Sequence, residues 1–231
     1  MARIRPSDGW QRLMTAALLV YSRSGSRLGI REVSKEMGVS PATIYGYVPS
    51  KEALLYWLMR HALDPKADPP RSLPAAEPSN ELARREIQEL AEQAMRLPDL
   101  EALLAQPGPD ARVELLEVLE RIYDSTERTA ALVSGIIIDA RRDPGDAGRF
   151  FGDLRHRLLE QLRLYIELRV ADGSFAPVVD SRAAAHLVVQ VAAWFARDRH
   201  GDPEGSSMPN ELARTTATSM LARALLANGG T

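Results

Sequence analysis

Residues 37–55 read MGVSPATIYGYVPSKEALL, and the spacing of their turn formers decides the fold. Gly38 stands where a left-handed residue would end a helix. Ser40 is a good N-cap, and Pro41 a good first helical residue, because its missing N–H would be unpaired there anyway. Pro49-Ser50 stops the turn, with Ser50 capping a new helix that begins at Lys51. One short helix, Pro41 to Tyr47, is thus bounded on both sides. Val33, Met37, Val39, Ile44 and Val48 can face inward against a preceding helix. Ala42, Thr43, Gly46 and Tyr47 are then expected outward, with Tyr45 at the edge and Tyr47 the more exposed tyrosine. A core helix needs no such punctuation; a displayed one does.

Upstream, Trp10, Leu13, Ala17, Val20 and Tyr21 repeat at helical spacing until Gly25, and Ile30, Val33 and Met37 form a second, short stripe. Downstream, a helix from Lys51 to about His61 gives way to DPKADPPRSLPAAEPSN, residues 64–80, whose five prolines forbid regular helix. That connection is expected to be partly mobile. Helical periodicity then resumes over about 80–96, 99–105, 110–125, 126–142, 148–171, 181–199 and 210–227, with Gly173 as a stop and 200–210 as a loop. Strand-like alternation persists nowhere. The expected fold is all-α: an N-terminal three-helix domain over 1–62, a Pro-rich connection over 63–80 and a larger helical domain over 81–231.

Composition narrows the function. The 231 residues include no cysteine, which excludes disulfides, thiolate metal sites and cysteine nucleophiles. The start, MARIRPSDGW, lacks the apolar run of a signal peptide, and no apolar run is long enough to cross a bilayer. A soluble, cytoplasmic protein is expected. His61, His156, His186 and His200 are dispersed, and no Gly-x-Ser-x-Gly elbow, phosphate loop or paired metal-ligand motif is present. An enzyme is not expected, nor a metal or cofactor.

Charge is distributed unevenly. Residues 1–62 hold nine Lys or Arg against four acids, an excess of +5, so with a net charge of −2 the remainder carries −7. A basic head on an acidic body suits a chain whose head meets a polyanion. A short helix with small outward side chains can lie in a major groove about 12 Å wide. These features read as a helix-turn-helix. Its candidate DNA contacts are Arg31, Ser40, Pro41, Ala42, Thr43, Tyr45, Gly46, Tyr47 and Lys51. Small residues at 42 and 46 let the backbone approach the bases, and Thr43 can bond a base edge or touch a thymine methyl. The tyrosine hydroxyls can reach phosphates, and Lys51 adds charge at a helix start already suited to one. Arg3 and Arg5 are placed to form an arm along the backbone or in the minor groove.

Gly29–Val48, GIREVSKEMGVSPATIYGYV, followed by PSKEALL, resembles the DNA-binding domain of the tetracycline-repressor (TetR) family of transcriptional regulators. The Gly-Val-Ser turn, Tyr45, Tyr47 and Ser50–Leu55 fall in register, over about residues 10–62. A weaker likeness over 165–190 matches the family's join between its last two large helices. Gly29 stands where a capping Thr is usual, Ser34 where Ala is, and Val48 where Phe is.

The resemblance implies a dimer that binds a double-stranded palindromic DNA operator and releases it on binding a small-molecule effector. It turns two apolar stripes into a dimer interface: Phe151, Leu154, Leu158 and Leu162 on one helix, Ala184, Leu187, Val188, Val191 and Phe195 on the next. Without it, the same stripes read as the deep core of a monomer. Two heads reaching successive major-groove faces, about 34–36 Å apart, also call for a homodimer. The resemblance implies an effector pocket in the body, for which the candidates are Trp57, Met95, Tyr123, Ile137, Tyr165, His186 and Gln190. The other reading is a helical adaptor that keeps its helix-turn-helix as a protein-binding surface; such an adaptor needs no cationic head.

Overall fold

The computed structural model describes residues 6–75, 79–95, 98–142 and 145–227. Among these the regular elements are α-helices, α1 (Pro6–Ser24), α2 (Ile30–Met37), α3 (Pro41–Tyr45), α4 (Lys51–Leu63), α5 (Asn80–Met95), α6 (Pro98–Ala105), α7 (Ala111–Ala140), α8 (Gly145–Ala171), α9 (Ser181–Ala196) and α10 (Asn210–Leu225), with short 3-10 turns at Gly25–Arg27, Asp198–Gly201 and Gly205–Ser207. The one β feature among them is an isolated antiparallel bridge between Phe175 and Leu226. The fold is all-α, and no described helix is long and apolar enough to cross a membrane.

The largest departure from expectation is α7. Two helices meeting at Ser125-Thr126 are instead one helix of 30 residues. The polar residues there do not break it, because they bond back along it: Thr126 Oγ1 donates to the Ile122 carbonyl at 2.7 Å and Thr129 Oγ1 to Ser125 at 2.8 Å.

The chain packs as two compact units, the first comprising the chain to Ala94 with Ala131–Phe151, the second Met95–Ala130 with Gly152–Thr231. In the first, α1 lies against α2 and α4, and α2 against α3. The stripe Trp10, Leu13, Ala17, Val20 and Tyr21 is buried, as expected. The proline-rich connection is anchored at two points: the Arg60 guanidinium donates to the Asp68 carbonyl, and the N–H of buried Ala75 donates to the Tyr47 carbonyl at 2.7 Å. The last turns of α7 close on the end of α1, where Gly135 lets the Tyr21 ring in; a Cβ at 135 would stand 2.2 Å from it.

The second unit has a continuous core in which Leu115, Leu119 and Ile122 of α7 meet Leu162, Tyr165 and Ile166 of α8 and Val188 and Ala192 of α9. Two buried arginines organise its polar interior. Arg169 pairs with Glu114, both nearly inaccessible, at 2.5 Å. Arg199, 1% exposed, holds the connection from α9 to α10 by donating to the carbonyls of Phe195 and Met208 and to the Asn210 side chain.

Candidate nucleic-acid interface and effector site

Each boundary of the short helix is closed as its residue types require. Gly38 takes φ 72°, and its N–H and that of Val39 bond back to Lys35 and Ser34, closing α2. Ser40 Oγ accepts from the Thr43 N–H at 3.2 Å, and Ser50 Oγ from Ala53 at 2.9 Å. Gly29 starts α2 without a side chain because Glu32 reaches back to its N–H at 2.9 Å. Ser34 is buried with its hydroxyl on the Arg31 carbonyl, and Val48 is fully buried.

Ile44 alone anchors α3, with no exposure, and Val33, Met37 and Val48 join it in the core, while Val39 is half-buried. Ser40, Pro41, Ala42, Thr43, Tyr45 and Gly46 are exposed on one displayed surface, Arg31 is exposed at the start of α2, and Lys51 is half-buried at the start of α4. Gly46 has ordinary helical φ, and a Cβ there would stand 3.2 Å from the Thr43 carbonyl oxygen. The Thr43 hydroxyl lies 2.9 Å from Ser40 Oγ, within the cap itself. Arg3 and Arg5 lie outside the described residues.

The tyrosines exchange the places expected for them. Tyr45 is 51% exposed, whereas Tyr47 is half-buried. The reason lies in α1: the Tyr47 hydroxyl sits where a Cβ on Gly9 would be, 2.1 Å from that position. Gly9 inside a helix is a cost that only a close approach repays, which is the one sequence signal that marked it. Gly9→Ala should displace the Tyr47 ring while improving α1. We expect an unchanged or higher melting temperature, by circular dichroism, with DNA affinity lowered about tenfold, the equivalent of ~1.4 kcal/mol, by anisotropy.

Most of the residues predicted for the dimer face are buried or half-buried within the chain itself. Leu154, Leu162 and Val188 are core, and Leu158, Ala184 and Val191 pack against it. Phe195 packs beside Tyr123, Ala196 and Ala217 in a smaller cluster. Phe151 lines a cavity of the first unit. Of the predicted set only Leu187 is largely exposed, at 58%. The exposed stripe of α9 is Ala183, Leu187, Gln190 and Trp194, with Leu164 exposed on α8. At 3.6 residues per turn the predicted stripe sits about a quarter turn from the exposed one. Because α9 is apolar nearly all round, periodicity could not tell the two faces apart.

The predicted effector residues are divided between the two units. Trp57 belongs to the first unit, edge-on to Trp10 at 5.4 Å and Tyr56 at 5.2 Å, with the Arg60 guanidinium 5.2 Å over its ring. Ile137 is half-buried in the same unit. Tyr123 and Tyr165 are core residues of the second unit, the former donating to the Phe195 carbonyl and the latter edge-on to Phe175. His186 and Gln190 are exposed. The side chain of Met95 lies outside the described residues.

An apolar trough of about 270 Å³ is formed instead by Tyr56 and Met59 of α4, Ala83, Arg84, Ile87 and Gln88 of α5, and Phe150 and Phe151 of α8. Beside it one carboxylate ties α4 to α5. Glu86 accepts from the Tyr56 hydroxyl at 2.5 Å and from Arg60 Nε at 2.9 Å. Burial, then the Glu86 contact, push the Tyr56 hydroxyl well above the ordinary tyrosine range, so it stays a donor at neutral pH. Sequence reasoning missed this site because three helices far apart in the chain build it, with no local motif.

Residues 13–56 match the family model described as "Bacterial regulatory proteins, tetR family". Among solved structures the chain is similar to ketosteroid transcriptional regulator KstR2 of Mycobacterium tuberculosis, at 11% identity and TM-score 0.57 over 94% of this chain and 96% of that one. An HlyIIR mutant protein is similar at 14% and 0.56, over 96% and 99%. So is a TetR family transcriptional regulator from Chloroflexus aurantiacus J-10-FL, at 14% and 0.54 over 97% and 96%. At such identities the likeness is one of fold. No curated protein matches the chain.

Proposed function

We propose that this chain, a member of the tetR family of bacterial regulatory proteins, is a dimeric, ligand-responsive repressor that binds a palindromic operator. The observation that carries the reading is the displayed face of α3, in which Ile44 is fully buried while Ser40, Pro41, Ala42, Thr43, Tyr45 and Gly46 are exposed. Such a helix presents small residues to base edges, and Arg31, Lys51 and Tyr45 to the flanking phosphates. Because the Thr43 hydroxyl serves its own cap, its methyl group is the better candidate for sequence choice, against a thymine methyl. Tyr47 acts from its seat at Gly9, orienting the end of the recognition helix.

Residues 1–62 serve as the DNA-binding domain, 63–80 as the connection, and 81–231 as the part that dimerises and responds to ligand. The exposed stripe Ala183, Leu187, Gln190 and Trp194 on α9, with Leu164 on α8, is the face on which a second copy packs. Its two large apolar side chains, Leu187 and Trp194, suit burial against a second copy. The protein works in the cytoplasm, where its operator is.

The test is anisotropy with duplexes selected from a random pool over a salt series. Thr43→Ala should relax sequence choice with little change in salt slope, whereas Lys51→Ala should weaken binding to all sequences alike and flatten the slope by about one unit. An unchanged slope in the Lys51 variant would remove its phosphate role. Failure to select any palindrome would remove the regulator reading in favour of a helical adaptor.

A further inference from the structure

The geometry points to the trough between α4, α5 and the start of α8 as the effector site, taking a small, uncharged, predominantly apolar molecule. This rests on the reading of the chain as a ligand-responsive DNA-binding protein, and adds the place and the chemical class. Six of the eight lining residues, Tyr56, Met59, Ala83, Ile87, Phe150 and Phe151, offer rings, a thioether or aliphatic groups. Phe150 and Phe151 stand edge to face, 5.7 Å apart, so the wall they form is preorganised. At about 270 Å³ the space lies near the small end of ligand pockets and is too small for a helix of a partner protein. The polar group that α4 contributes, the Tyr56 hydroxyl, is already committed to Glu86. The carboxylate of Glu86 is matched in turn by Arg60, and Arg84, the charged residue of the lining, has a partner of its own, so no unmatched charge there asks for an ionic ligand.

The trough also has a mechanical connection to the recognition surface. Tyr56 and Met59 lie on α4, a single helix of 13 residues whose first residue is Lys51 and whose cap is Ser50. On its other side α4 presents Trp57 to Trp10 of α1. A molecule seated against Tyr56 and Met59 presses on α4 where the Tyr56–Glu86–Arg60 contact holds it to α5. Separating α4 from α5 shifts Lys51 relative to α3, and operator affinity falls. Binding must be reciprocal: whatever factor the ligand takes from DNA affinity, DNA takes from ligand affinity.

The probe is N-phenyl-1-naphthylamine, neutral and fluorescent in apolar surroundings, titrated into the full chain with and without a duplex selected from a random pool. We expect saturable binding, weakened about tenfold or more by Ala83→Trp, which fills the trough, and to a smaller extent by Ala83→Leu, with circular dichroism confirming both folded. The probe should lower DNA affinity, and DNA should lower probe affinity by the same factor. Tyr56→Phe removes the hydroxyl that holds α4 to Glu86 and should weaken DNA binding without probe. Probe binding unaffected by both Ala83 variants overturns the site. Tighter binding of the sulfonated analogue, 1-anilinonaphthalene-8-sulfonate, overturns the uncharged class. Localised binding without reciprocity overturns the regulatory role. If the unliganded protein selects no duplex at all, the DNA-binding reading itself has failed, and that result is distinct from these three.

Discussion

Arg169→Leu should destabilise the protein by about 3–5 kcal/mol, a large share of the ~5–15 kcal/mol by which a domain is stable. The Arg169 side chain is 4% exposed and that of its partner Glu114 6%. Arg169 donates Nε and Nη2 to the two Glu114 oxygens, Nη2 also to the Gly108 carbonyl, and Nη1 to Asp172 at 2.9 Å. Glu114 in turn accepts the Gly108 N–H at 2.7 Å. One pair of side chains thus fastens the start of α7, the loop before it and the end of α8. Removing the cation leaves a carboxylate buried and facing no compensating charge, and that penalty is what makes the effect large. Glu114→Leu is expected to cost somewhat less, because Asp172 still faces the guanidinium. The double variant, apolar on both sides, should cost far less than the sum of the single ones. Chemical denaturation of the three variants checks this. Single losses below about 1 kcal/mol would mean the pair is not the fastening its geometry implies.

The short helix was legible because its boundaries are local. Gly38, Ser40, Pro41 and Ser50 each act on backbone groups within four residues, so the sequence alone contained what was needed to place α3. The site around that helix was legible as a surface, since one buried residue, Ile44, fixes which others face out. What escaped were contacts between distant positions. Whether Tyr45 or Tyr47 is free depends on Gly9, which lies 38 positions before Tyr47. Ser125-Thr126 suggested a break because hydroxyl side chains compete with the backbone, and only the structure shows Thr126 and Thr129 bonding back along the helix. On α9 the apolar residues extend so far round that the core stripe and the exposed stripe both satisfy a helical repeat. The trough is the extreme case. Its residues come from α4, α5 and α8, and none taken alone stands out from an ordinary helix position. Glu86 likewise reads as one more surface acid until Tyr56 and Arg60 are seen to meet on it.

Gly25→Ala should cost about 3 kcal/mol, and the reason can be separated into two parts by a double-mutant cycle. Gly25 ends α1 with φ 62°, so any Cβ there costs roughly 1–2 kcal/mol for the left-handed backbone. A Cβ would also stand 2.2 Å from Asp139 Oδ1. Asp139, near the end of α7, accepts from the Ser26 N–H with both carboxylate oxygens, at 3.0 and 2.9 Å, and from Ser26 Oγ at 3.1 Å. Arg142, one turn later, donates to the Ser24 carbonyl. Burial, and after it the Asp139 charge, hold the nearby Tyr21 hydroxyl in its protonated form, far above the ordinary tyrosine range. The end of α7 is therefore seated in the turn between α1 and α2, and an alanine at 25 must push the carboxylate out of that seat. Asp139→Ala alone loses the same hydrogen bonds, for about 1–2 kcal/mol at a half-exposed site. In the double variant no carboxylate remains to be displaced, and only the backbone cost of residue 25 is added. The cycle should show a coupling of about 1 kcal/mol or more, with the double variant more stable than additivity predicts. Strict additivity would mean that Gly25 is required by its φ alone. A coupling of the expected sign would make the missing side chain part of the contact by which α7 holds the turn between α1 and α2.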